Sequence, residues 1–147
     1  MQRLILRDFA IGYAAALVAL ILLSLLLATL FDYELGSSGS IGVVIAAAVY
    51  AAARHAARGG ERPGGLLAWE LALWMTLIAA AIGMIPMLLL ALFVGLNPGA
   101  GIGNAGVGVF FIAFVIVGGL NVLLLRFLFP WFVSLQIRAR EKRASRG

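Results

Sequence analysis

Apolar and polar positions fall in long blocks along this chain, not in the short alternations of a soluble fold. From Phe9 to Phe31 no residue is charged. A spanning helix needs about 20 mostly apolar residues, so this run predicts a first span over 9–31. It exceeds the apolar region of a signal peptide, and no small-x-small cleavage site follows, so an uncleaved anchor is expected. From Leu35 to Ala53 there is again no charge, but Gly36, Ser37, Ser38, Gly39 and Ser40 open the stretch. Ser40 suits a helix start, where a hydroxyl accepts a bond from a free backbone N–H. A second helix over 38–57 follows, ending among Arg54, His55 and Arg58. It is short, and a re-entrant segment is the competing reading.

The third run, 66–94, is interrupted only by Glu70 and contains Pro86. Residues Gly95 to Gly108 are dense in glycine and asparagine and read as a loop. The fourth run begins near Val109 and extends to Ile137, carrying Asn121, Arg126 and Pro130. Its span is placed at 109–130, with a basic tail over 138–147. Proline removes a backbone donor, so kinks are expected at Pro86 and Pro130.

Charge decides between four spans and three. Arg3 and Arg7 precede the first run; Arg54, Arg58 and Arg62 lie between the second and third. Arg138, Arg140, Lys142, Arg143 and Arg146 fill the tail. Four spans put ten of the eleven Lys and Arg on one side, all but Arg126. Basic residues in short loops stay cytoplasmic. A re-entrant second segment would force a basic cluster across the membrane. The expectation is therefore an all-α, polytopic, single membrane domain: four helices in a compact bundle with both termini cytoplasmic. Tyr33 at one boundary, with Trp69, Trp131 and Trp74 near the other, agrees with the headgroup preference of aromatic rings.

Composition strengthens this. The chain of 147 residues is 64% hydrophobic and 12% charged, against roughly 45–50% and 25% for soluble domains. The net charge of +5 lies in segments flanking apolar runs, which argues for topology and anionic lipid and against nucleic acid as a partner. With no cysteine and one histidine, His55, thiolate metal sites and a histidine-rich centre are excluded within one chain. No serine–histidine–acid combination is recoverable, and no catalytic, cofactor or metal residue is assigned. His55, between Arg54 and Arg58, reads as a solvated helix-end residue. Gly101-Ile102-Gly103-Asn104-Ala105-Gly106 matches a dinucleotide-binding pattern but lacks the strand and helix that give it meaning.

Helices in lipid associate by close packing and polar contacts. Gly42 with Ala46, Ala47 with Ala51 and Ala48 with Ala52 place small residues four apart, which makes the second helix the central, protein-facing element. Gly118 and Gly119 offer the fourth helix a comparable site, and Asn121 an interhelical hydrogen bond. Glu70 and Arg126 are the ionisable residues within apolar runs, where unpaired charge is costly. An ion pair between them would satisfy both. Arg138, Arg140, Lys142 and Arg143 are placed to touch anionic headgroups.

The Ser37-Ser38-Gly39-Ser40-Ile41 start, the Ala46-Ala47-Ala48 helix and the Arg62-Pro63…Trp69-Glu70 connection all fall within residues 37–70. In these features the chain resembles the ABZJ-type group of small bacterial four-helix membrane proteins. That resemblance implies four helices and a bacterial inner membrane, and implies no activity. The expected function is a non-enzymatic accessory, assembly or structural subunit, held to another integral membrane protein or to itself. The alternative is a small oligomeric transporter or channel working through Glu70, Arg126 and Asn121.

Overall fold

The computed structural model describes residues 2–31, 38–94 and 104–145. Among these the chain is all-helical and forms four helices. They are α1 (Gln2–Phe31), α2 (Ser38–Ala57), α3 (Gly65–Val94) and α4 (Asn104–Ala144). Three contain segments long and apolar enough to cross a membrane: Gln2–Leu30, Gly65–Ile85 and Phe114–Ala144. The apolar part of α2, Ile41–Ala57, is shorter. Tyr33 and residues 101–103 of the glycine-rich loop lie outside the described residues.

Two boundaries differ from the expected ones. First, α1 begins seven residues before Phe9, because Gln2 to Asp8 includes the good helix formers Leu4, Leu6 and Arg7. Second, α4 starts at Asn104, inside the expected loop, and runs unbroken through Pro130 for 41 residues. At 1.5 Å per residue it is about 60 Å long, roughly twice the hydrocarbon thickness of a bilayer. Pro130 leaves the Arg126 carbonyl without its helical donor, yet the helix persists, with Pro130 itself buried in the bundle. The Ser134 hydroxyl donates to the Pro130 carbonyl at 2.9 Å. The span and the tail are therefore one continuous helix. Helix α3 runs through position 86, whose side chain lies outside the described residues.

Helix α1 packs on α2 and α3, and α4 packs on the same two. The core joins Phe9 and Tyr13 of α1, Leu71 and Met75 of α3, and Leu125, Phe129 and Val133 of α4. Helix α2 gives it small side chains: Val43, Val44, Ala47, Ala48, Ala51 and Ala52, with all four alanines fully buried. Spacing of four keeps Ala47–Ala51 and Ala48–Ala52 on one side of the helix, so neighbouring helices approach closely there. Gly12 of α1 meets Tyr50 of α2 the same way; a Cβ at Gly12 would sit 2.9 Å from the Tyr50 ring.

The Gly42–Ala46 pair does not take part. Both residues are exposed, and a Cβ at Gly42 would meet nothing. At 100° per residue they lie about half a turn from the centre of the buried face. Gly118 and Gly119 are likewise open, with no atom near where a Cβ would stand. Among the described residues these small residues pack against nothing.

Candidate functional site

Most side-chain bonds between distant parts of the described chain gather where α2 ends. The helix stops on Gly59, whose φ of +74° lies in the left-handed region that glycine enters without a Cβ penalty. The Gly59 N–H donates to the Ala56 carbonyl at 3.0 Å and the Gly60 N–H to the His55 carbonyl at 3.1 Å. This pair of bonds satisfies carbonyls that the end of a helix leaves open.

His55 is buried, 5% exposed. Its Nε2 lies 3.0 Å from the Glu61 carbonyl; a carbonyl only accepts, so Nε2 carries the proton and donates. Gly60 lies against the ring, and any side chain there would collide with the imidazole. The expectation of a solvated His55 is thus corrected. The turn folds back over the ring, and the imidazole fixes the connection to α3.

Arg58 and Asp8 form the one salt bridge among the described residues. The guanidinium grips the carboxylate with two donors, Nη1 to Oδ2 and Nη2 to Oδ1, the second at 3.2 Å. Such a fork fixes direction as well as charge. Asp8 is 1% exposed, packed beside Phe9 in the first turns of α1. Hydrogen bonding to Asp8 pushes the Arg58 pKa further above its already high value, so Arg58 stays charged throughout the accessible pH range. From α4, Arg140 Nη1 donates to the Ala56 carbonyl, adding a cation to the negative end of α2. A shallow cleft of about 270 Å³ opens between this cap and Ile137, Arg140 and Glu141. The start of α1, the end of α2 and the last turns of α4 are thereby drawn together, with α3 following after a short connection.

The expected pair does not form. Glu70 is exposed on α3, and Arg126 makes no ion pair with it. The Arg126 guanidinium instead lies over Trp69, 5.6 Å from the ring centroid, and 5.7 Å from that of Phe127. Neighbours along α3 point in different directions, so Trp69 meets α4 where Glu70 does not. Arg126 Nε is buried without an acceptor among the described residues. Asn121 is half-buried and makes no side-chain hydrogen bond among the described residues. Arg138, Lys142 and Arg143 stand exposed on the last turns of α4.

Sequence reasoning missed Asp8. A signal existed: a carboxylate at the mouth of an uncharged run is costly unless paired. Its partner, 50 residues away, was not recoverable from one sequence. No group of three or more potential metal-binding side chains occurs among the described residues. Comparison with protein-family models, with curated proteins and with solved structures finds no match. Fold and surface define the class: among the described residues the protein is all-helical, with three helices able, by length and composition, to cross a membrane.

Proposed function

We propose that this chain is a four-span protein of a bacterial inner membrane, both termini cytoplasmic, acting without catalysis as an accessory or assembly subunit of a larger integral complex. The likeness to the ABZJ-type group carries the bacterial part of this reading. One observation supports the membrane setting. Large apolar side chains face outward on α1, α3 and α4, among them Leu22, Leu25, Leu66, Ile116, Leu120 and Phe127, while Asp8 and His55 are buried. Water would oppose the outward apolar faces, and lipid and protein neighbours favour them.

Gly42, Ala46, Gly118 and Gly119 then acquire a use outside the monomer. Small outward-facing residues admit close approach by another membrane helix, where dispersion replaces the hydrophobic effect as the source of affinity. The partner is a helix of another integral membrane protein or of a second copy.

Two measurements test this. The chain has no cysteine, so Gly64→Cys and Ser145→Cys each report a single position; an impermeant thiol reagent should reach both from the cytoplasmic face only. Labelling from opposite faces would end the four-span arrangement. Mild-detergent purification at native abundance should yield a stoichiometric complex, which Gly42→Leu or Gly118→Leu disrupts while the chain itself stays folded. A lone, monodisperse monomer would sink the accessory role.

A further inference from the structure

Two cations of the described bundle contrast sharply. Arg58 spends its donors on a buried carboxylate. Arg126 has five N–H donors and directs none to any acceptor among the described residues, although its Nε is buried. Such a group is held by ring faces on the protein side and must be met by an acceptor from outside. Trp69 is the fifth residue of α3, about 6 Å along from the helix start, and it is 41% exposed. Phe127 is 68% exposed and Trp131, one turn on, 52%. Aromatic rings exposed beside a helix start mark the headgroup level, which is where a snorkelling arginine finds anions.

We propose that Arg126, positioned on Trp69 and Phe127, binds the phosphodiester of one anionic phospholipid in the groove between α3 and α4. The planar guanidinium offers two parallel donors to phosphate oxygens, and the flanking rings cover the glycerol and upper acyl carbons. The net charge of +5 and Arg62 just before α3 disfavour a choline headgroup and favour a net negative one. This site is distinct from the tail, whose exposed cations attract anionic surfaces diffusely.

The inference rests on the chain lying in a bilayer, and the test separates the two. A purified chain that stays soluble without detergent removes the membrane reading and this one with it. A chain that needs detergent is titrated with phosphatidylglycerol and observed by native mass spectrometry, with phosphatidylcholine as comparison. One phosphatidylglycerol per chain should be retained over phosphatidylcholine. Arg126→Gln should weaken retention about tenfold, as expected for losing charged hydrogen bonds. Trp69→Leu keeps the charge but loses the ring, and should weaken it about threefold. The triple variant Arg138→Gln, Lys142→Gln, Arg143→Gln should retain the lipid as the parent does. Equal binding by Arg126→Gln and parent would overturn the proposal, as would loss in the tail variant matching that of Arg126→Gln. Displacement by millimolar inorganic phosphate would make the ligand a soluble anion and overturn the lipid assignment. If Arg126→Gln does not fold, as judged by circular dichroism, Trp69→Leu decides: retention equal to the parent refutes the site.

Discussion

Around the end of α2 the bundle is tied: Asp8 to Arg58, His55 to Glu61, Arg140 to Ala56, with Phe9, Ala51, Ala52 and Phe129 buried nearby. In the second half of α1 and the described middle of α4 the picture reverses. Leu22, Leu25, Leu30, Ile116 and Leu120 are all more than half exposed, and Gly119 faces open space. One region holds its neighbours through directional polar bonds and interlocked small residues; the other presents mostly apolar side chains. The lesson concerns cohesion in a solvent of lipid. Apolar surface there gives no reason for helices to associate, so specificity concentrates where charges and carbonyls need partners.

Substitutions should separate these regions by size of effect. Phe9→Ala empties a fully buried position and should cost about 3–5 kcal/mol of stability, read by thermal unfolding in detergent. Ala48→Leu forces a larger side chain into the α2 interface and should cost about 1–3 kcal/mol. Asp8→Ala leaves Arg58 without its partner and should lower the melting temperature. In a double-mutant cycle, adding Arg58→Ala should restore part of that loss; strict additivity would mean that the fork contributes no coupling. Gly59→Ala places a Cβ on a left-handed residue and should cost about 1 kcal/mol. Leu22→Ala, on the oily region, should stay within about 0.5 kcal/mol of the parent. A Leu22→Ala effect as large as that of Phe9→Ala would erase the contrast between the regions.

How much of this was legible beforehand differs by feature. Apolar runs predicted α3 almost to the residue, because uncharged length is a property of consecutive residues. The expected central place of α2 is not what the packing shows, since it meets α1 and α4 just as each other helix meets two. They misjudged α4, since neither Asn104 nor Pro130 reveals locally whether packing will extend a helix past it. The rows of small residues on α2 were visible, but periodicity assigns equal merit to the Gly42–Ala46 row and the Ala47–Ala51 row. Arg126 was singled out as costly, which its buried Nε supports, while its neighbour proved to be Trp69 and not Glu70.

What the sequence by itself determined is the all-helical class and the grouping of basic residues between long apolar runs, both consequences of solvation along the chain. Only the tertiary structure decided that Asp8 belongs to Arg58, that His55 is buried beneath its own turn, and that Arg126 rests on tryptophan. Each of those depends on which face of one helix meets which face of another. Helices of this kind are apolar nearly all round, so their facing is set by contacts between distant residues and not by any local pattern.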